Sequence, residues 1–316
     1  MKDANVNQGV RFYPLGGLEV APNPPPLTPS IMSWRSPHGT PLPSWRERTL
    51  LMGILNLTPD SFSGGGQLTT PEDALRQAEA LIAAGADVLD LGAESTRPGS
   101  QPITANAELD RLLPTLRLLR RRLPKTPLSI DTYKAEVAAA ALAEGADMIN
   151  DVEGARHNLQ GDESPMARVC ASAGCPLILM HRRKEANYKD FWPEILRDLQ
   201  GSLRLATQAG IRPEQLWTDP GFGFGKTPAQ NLMLVRNLSQ LTALGFPVLL
   251  GTSRKSTLGL VLGETDPLQR EVAHHATVTW GIAQGCAMIR AHDLAALQPL
   301  VRSADALRRG PNWSAG

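Results

Sequence analysis

The feature that most constrains this chain is a unit repeated eight times: a short, β-rich apolar run ending in polar residues, followed by a longer helix-like stretch. The runs are Leu50–Leu57, Val88–Ala93, Leu128–Asp131, Met148–Val152, Leu177–His181, Leu216–Asp219, Val248–Ser253 and Met288–His292. Near-continuous apolar runs belong to strands covered on both faces, and amphipathic segments between them supply the cover. Those segments include Glu72–Ala83, Ala107–Arg122, Lys134–Glu144, Asp190–Ala209 and Arg270–Gln284. Three end in a small-residue hand-off to the next strand: Ala84-Gly85-Ala86-Asp87, Glu144-Gly145-Ala146-Asp147 and Gln284-Gly285-Cys286-Ala287. Glycine there suits the left-handed close of a helix. The class is α/β with a parallel sheet. A doubly wound open sheet competes, but eight units in roughly 260 residues favour a (β/α)8 TIM barrel.

The first 49 residues break the pattern, with Pro22, Pro24, Pro25, Pro26, Pro29, Pro37, Pro41 and Pro43 crowded together. Such a stretch favours extended backbone and builds no core of its own. We therefore divide the chain into a flexible proline-rich extension (1–49), a barrel (50–310) and a tail (311–316). Trp34 and Trp45 are candidates to dock the extension onto the barrel.

Composition bounds the partners. A net charge of +1 gives no field to steer a nucleic-acid backbone, and 5% aromatic residues offer no stacking platform for single strands. No apolar run reaches membrane-spanning length, and the N-terminus lacks an apolar signal core, so neither a membrane nor an export route is expected. The odd trio Cys170, Cys175 and Cys286 matches no metal spacing and reads as small buried residues in a reducing compartment. The expectation is a cytoplasmic protein.

A barrel carries its site at the carboxyl ends of its strands. Those ends bring Asn56, Glu94 to Arg97, Asp131, Asn150-Asp151, His181, Asp219, Ser253 to Ser256, and Arg290 with His292. Each has a plainer reading by itself. Asp60 and Asp151 suit turns or helix caps, and a lone histidine such as His181 is commonly a satisfied core residue. Convergence of such varied chemistry on one rim is what caps alone do not require. The cations Arg254, Lys255, Arg290 and His292 gather on the last two strands, where barrels often bind phosphate. Opposite them, Asp131, Asn150 and Asp219 suit a flat heterocycle rich in N–H groups. One ligand with a polar ring and a phosphate end satisfies both, without identifying the ring.

Three features are set aside. Phe222-Gly223-Phe224-Gly225-Lys226-Thr227 looks like a phosphate-binding P-loop, but Pro220 stands where that motif needs glycine. It reads better as a lid or aromatic wall with Phe222 or Phe224 facing substrate. His274-His275 lacks metal-ligand spacing and reads as packing and surface. The run Arg120-Arg121-Arg122 closes a helix and reads as a solvated face.

At the rim the sequence resembles the dihydropteroate synthase family, from about Thr49 to Arg309. The matching stretches run from Met52 to Ser63 (MGILNLTPDSFS), Glu94 to Gly99 (ESTRPG), Ser129 to Thr132, Asn150-Asp151, Asp219 to Lys226 (DPGFGFGK), Ser253 to Ser256 (SRKS) and Arg290 to Asp293 (RAHD). Their order on successive strands makes the match specific. The resemblance implies joining a pterin pyrophosphate to p-aminobenzoate with release of pyrophosphate. It implies that Asp131, Asn150, Asp219 and Lys255 hold the pterin, and that Asn56, Arg290 and His292 form the pyrophosphate pocket, with Asn56 on Mg²⁺. Thr96, Arg97, Pro98, Phe224, Lys255 and Ser256 would line the p-aminobenzoate site, which sulfonamides share. Asn56, Arg97, Asp131, Lys255, Arg290 and His292 would be the catalytic set. Leu57–Leu68 and Thr96–Ile103 would be mobile lids, and the protein a homodimer. The family is thought to break the carbon–oxygen bond to pyrophosphate early, leaving a pterin cation for the arylamine.

The chain departs from the family at Gly64, where Asp is usual, at Met180-His181-Arg182-Arg183, which is more basic, at Val152–Ser164 and in the proline-rich extension. Two other readings compete. A methyl-transfer domain acting on a folate would not need the anion set of Ser253 to Ser256, Arg290 and His292. A non-catalytic paralogue, motivated by Gly64, would bind pterin without forming product.

Overall fold

The eight strands all run parallel, each followed by helix, in a computed structural model that describes residues 34–58, 70–96 and 100–310. In order they are β1 (Leu50–Asn56), β2 (Val88–Gly92), β3 (Leu128–Asp131), β4 (Met148–Asp151), β5 (Leu177–Met180), β6 (Leu216–Asp219), β7 (Leu249–Leu250) and β8 (Met288–Ala291). The sheet order is β6-β5-β4-β3-β2-β1-β8-β7, and a parallel bridge from Thr218 to Val248 joins its two ends. The expected barrel is therefore the observed one.

The helices are α1 (Pro71–Ala83), α2 (Ala105–Arg122), α3 (Ala135–Ala143), α4 (Pro165–Ala173), α5 (Phe191–Gln208), α6 (Pro228–Arg236), α7 (Ser239–Thr242), α8 (Ser256–Leu262), α9 (Glu271–Ala283) and α10 (Leu297–Arg309). Local chemistry sets their starts. Thr70 with Asp73, and Thr227 with Gln230, form reciprocal capping boxes ahead of Pro71 and Pro228 at the first helical position. The hand-off glycines Gly85, Gly145 and Gly285 have φ of +95°, +103° and +99°, a region other residues avoid. Asp87 and Asp147, two residues later, accept the backbone N–H of Leu51 and Leu128, 2.8 Å each, and so lock each helix exit to the neighbouring strand.

The strands' two-residue period sorts the interior. Leu50, Met52, Val88, Met148, Ile178, Trp217, Leu249 and Met288 form one buried cluster inside the barrel. The alternate residues, such as Leu51, Leu89, Leu128 and Ile149, join the larger cluster under the helices. Toward the carboxyl ends the inward phase turns polar, through Asp90, Asp131, Asn150, Asp219 and Arg290.

The floor is closed by the end of the proline-rich segment. Trp34 is 5% exposed, stacks at 4.8 Å on Trp217 and donates its ring N–H to the Pro43 carbonyl at 2.8 Å. Trp45 meets Trp217 edge-on at 6.0 Å. Arg35 exchanges backbone bonds with the Gln215 side chain, and Ser36 donates to Asp147. Residues 34–49 thus belong physically with the barrel, because two tryptophans outweigh the local preference of the prolines. The Arg120 to Arg122 run also divides. Arg121 and Arg122 are exposed as expected, but Arg120 turns inward onto Asp147 at 2.5 Å and the Gly145 carbonyl at 2.9 Å.

Candidate active site

The site is built on one register line. Asn56 pairs with Gly92, Gly92 with Asp131, and Asp131 with Asn150, placing four inward positions of β1 to β4 side by side. Gly92 is the gap in that line. A side chain there would lie 3.7 Å from the Asn56 oxygen and 3.8 Å from Asp131 Oδ2, so both oxygens look onto the space that glycine leaves.

Arg290 crosses this space from β8. Its Nε donates to Asp90 Oδ2 at 2.6 Å and its Nη2 to Asp131 Oδ2 at 2.9 Å, while Asn150 donates to Asp90 at 3.1 Å. Asp90 is fully buried, and a charge there needs such partners. The second oxygens, Asp90 Oδ1 and Asp131 Oδ1, are buried and have no hydrogen-bond partner among the described residues. Burial pushes the Asp131 carboxyl up to about 7, against the pull of Arg290. An acceptor this short of donors is prepared for a ligand that brings N–H groups.

Asp219 ends β6 at the same mouth, where the charges of Lys255 and Arg290 reach it. Burial pushes it up to about 6, while the Gly221 N–H, 2.6 Å from its Oδ1, and the charges of Lys255 and Arg290 pull the other way. Lys255 lies with its ammonium 4.3 Å above the centre of the Phe224 ring. Next to it Ser253 Oγ meets His292 Nδ1 at 2.9 Å, fixing the imidazole of β8 against the β7 loop. Ser256 opens α8 and is exposed, and Thr96 is half-buried beyond β2. A buried group of Lys134 with Glu94 and Glu108 (2.6 Å) anchors that second loop, and Glu94 also accepts from the Tyr133 hydroxyl at 3.0 Å.

The structure thus brings Asn56, Asp131, Asn150, Asp219, Lys255, Arg290 and His292 to one mouth. Arg97, Pro98, Asp60, Gly64 and most of both expected lids lie outside the described residues. Of the two phenylalanines offered as a wall, Phe222 is 1% exposed and belongs to the core, whereas Phe224 lies at the site. Asp151 is the turn residue its position suggested, accepting from Glu153 and Ala155 N–H at 2.8 and 2.7 Å. The three cysteines are free and buried.

Asp90 escaped sequence reasoning. The available signal was an acid in the middle of the run Val88-Leu89-Asp90-Leu91-Gly92 on the inward phase, which requires a buried cation. His181 with Lys226, behind the Gly-Phe loop, also escaped it.

Among the described residues no group of three His, Cys, Asp or Glu side chains is placed to hold a metal. Mg²⁺ commonly binds through one or two protein oxygens, with phosphate oxygens and waters completing its shell. The Asn56 oxygen facing the Gly92 gap fits that mode. Nor is any described helix long and apolar enough to cross a membrane.

Known proteins resemble this chain in sequence and fold. The pterin binding enzyme family matches residues 52–292. Dihydropteroate synthase of Bacillus subtilis (strain 168) is 42% identical over 84% of this chain and 90% of its own. The Clostridium difficile dihydropteroate synthase crystallised in the presence of pteroic acid is 41% identical, with a TM-score of 0.78 over 83% of this chain and 98% of that one. The Xanthomonas albilineans dihydropteroate synthase with 4-aminobenzoic acid is 40% identical, with a TM-score of 0.78 over 84% and 95%.

Proposed function

This chain belongs to the dihydropteroate synthase family, and from that premise we propose how its residues divide the reaction. The reaction is the condensation of 6-hydroxymethyl-7,8-dihydropterin pyrophosphate with p-aminobenzoate, giving 7,8-dihydropteroate and pyrophosphate in folate biosynthesis. The observation that carries the assignment is the meeting of unsatisfied buried acceptors with cations at the carboxyl ends of the strands. Asp131 Oδ1 has no donor among the described residues, Arg290 holds the other oxygen, the charge of Lys255 acts on the same carboxyl, and His292 follows β8 two residues beyond Arg290.

In this proposal Asp131, Asn150, Asp219 and Lys255 take the pterin, whose ring N–H and amino groups supply the missing donors. Ionised Asp131 and Asp219 then favour positive charge developing on the ring as its carbon–oxygen bond breaks. Arg290 and His292 neutralise the departing pyrophosphate, the imidazole oriented by Ser253. Pterin at Asp131 and pyrophosphate would share the Arg290 fork, so the guanidinium exchanges carboxylate for phosphate oxygens. Asn56 would hold Mg²⁺, whose chemistry is neutralisation of leaving-group charge. p-Aminobenzoate would lie between Thr96, Arg97, Pro98, Phe224, Lys255 and Ser256. No strong general base is needed, because a cationic ring is electrophile enough for an arylamine.

We further propose a cytoplasmic homodimer. Support for the dimer comes from Leu260, Val261, Leu262, Leu268, Val272 and Trp280, each at least 41% exposed on and between α8 and α9. An exposed apolar face of that kind marks an interaction surface.

Purified protein given pterin pyrophosphate, p-aminobenzoate and Mg²⁺ should release pyrophosphate. Pterin binding without product would instead favour the non-catalytic reading. In that case a Gly64→Asp substitution should restore turnover.

A further inference from the structure

The loop with the look of a P-loop, Gly221-Phe222-Gly223-Phe224-Gly225-Lys226, does not turn its lysine outward toward a phosphate. Lys226 points back beneath its own loop. Its ammonium lies 2.9 Å from the Gly221 carbonyl, 3.0 Å from the Phe224 carbonyl, 3.0 Å from His181 Nδ1 and 3.4 Å from the His181 carbonyl.

The loop needs such a staple. Gly221, Gly223 and Gly225 have φ of +69°, +86° and +60°, and a glycine backbone has the most freedom to lose. It also rides directly on the chain after β5. A side chain at Gly221 or Gly225 would collide with the carbonyl oxygens of His181 and Arg183. Other ties are the Tyr188 hydroxyl on the Gly225 carbonyl at 2.9 Å and the Gly223 N–H on Asn231 at 2.8 Å. Among the described residues Lys226 is the one side chain that reaches the carbonyl of Phe224, the residue whose ring lies under Lys255.

The hydrogen-bond pattern specifies the protonation states. Burial holds His181 down at about 4, so its ring is neutral at physiological pH. Its Nε2 faces Asp198 Oδ2 at 3.2 Å, and that carboxylate is gripped by Arg183 at 2.8 and 2.9 Å. An imidazole that donates to Asp198 through Nε2 has only a lone pair at Nδ1. An ammonium serves that lone pair and two carbonyls with its three N–H groups. A neutral amine has two N–H groups, and its own lone pair would oppose that of Nδ1.

We infer that Lys226 is a positioning residue for the arylamine subsite: as an ammonium braced by His181 and Asp198, it holds the Phe224 wall beneath Lys255. This rests on the synthase reading for the identity of the arylamine. The groups facing the ammonium are His181, Arg183, Asp198, Asp219 and Lys255. Burial lowers Lys226 to about 7, with Arg183 and Lys255 pushing it further down and Asp219 and Asp198 opposing them. The staple therefore weakens as pH rises through that value.

The test compares the parent with Lys226→Met and Lys226→Arg, by steady-state kinetics and by equilibrium binding of p-aminobenzoate with pterin and pyrophosphate present. Lys226→Met should raise the KM and Kd for p-aminobenzoate about tenfold, the size of one lost charge-assisted bond. The pterin pyrophosphate KM and kcat should each move less than about threefold, and Lys226→Arg should recover part of the loss. The parent's p-aminobenzoate KM should rise above pH 7, a limb absent from Lys226→Met. In a Phe224→Leu background Lys226→Met should cost little more, because both act through one wall. Uniform changes in both KM values and kcat, full additivity with Phe224→Leu, or unchanged p-aminobenzoate affinity would overturn the inference. Should Lys226→Met fail to fold, His181→Gln, which removes the brace but leaves the carbonyl contacts, must show the same selective rise. A parent that binds p-aminobenzoate without turnover would overturn the reaction reading alone, since the binding comparison still stands.

Discussion

Replacing Arg290 with alanine removes the cation from two buried carboxylates at once. Its fork holds Asp90 at 2.6 Å and Asp131 at 2.9 Å, and the side chain is only 20% exposed. Removing one partner of a buried pair costs about 3–5 kcal/mol. That penalty has a ceiling set by pH, because a stranded carboxylate escapes it by taking up a proton. For one carboxylate ionised in the parent, each pH unit above about 3.9 adds about 1.4 kcal/mol to the ceiling, giving about 5.6 kcal/mol at pH 8 and about 1.5 kcal/mol at pH 5. Asp131, already raised to about 7, adds to the deficit only above that value. The full penalty is therefore available at pH 8 but not at pH 5. Burial already raises Asp131 to about 7 with Arg290 in place, and loss of that cation raises it further. A folded-state value above the unfolded one gives stability that is present at low pH and lost as pH rises through the folded value. The variant's deficit must consequently grow with pH. At roughly 2–4 °C per kcal/mol, Arg290→Ala should melt at least about 6 °C below the parent at pH 8 and by about half that or less at pH 5. Circular dichroism melts at both pH values measure this. Arg290→Lys, which keeps the charge and loses the fork, should fall between. An equal drop at both pH values would refute the reasoning, as would a drop of only about one degree at pH 8.

Other outcomes follow from the same geometry. Arg290→Ala should also weaken pyrophosphate about tenfold or more by titration calorimetry, and unchanged affinity would remove Arg290 from that pocket. With Asp219 raised to about 6 and Asp131 to about 7 in the free protein, pterin donors that favour the ionised forms should expel protons on binding at pH 5. Calorimetry in two buffers of different ionisation heat reads that release, and zero release contradicts it. Asn56→Ala should raise the Mg²⁺ concentration needed for half-maximal turnover while leaving binding of a pterin without pyrophosphate within about threefold, and a loss of that binding instead would place Asn56 on the ring. Trp34→Ala should cost about 3–5 kcal/mol in urea unfolding with kcat/KM unchanged, because it removes the floor of the barrel and not its mouth. A kinetic defect at full stability would contradict that assignment.

What the sequence by itself determined is the alternation. Eight apolar runs separated by amphipathic stretches leave a parallel barrel as the natural solution, and the two-residue period commits Asn56, Asp131, Asn150, Asp219, Arg290 and His292 to the inward face near the carboxyl ends. These are local properties, repeated often enough to add up. The glycine hand-offs and capping boxes are legible for the same reason, since each partner lies within a few residues. What only tertiary structure decided is which charge meets which. Asp90 and Arg290 lie 200 positions apart, and no local pattern pairs them. Nor does the sequence of the Gly-Phe loop say that Lys226 folds under it to a histidine 45 residues earlier. Trp34 likewise leaves a proline-rich stretch to cap Trp217, because burying two large rings outweighs local backbone preference. Burial is a property of the closed barrel, and only when it removes water does a charge have to find its distant partner.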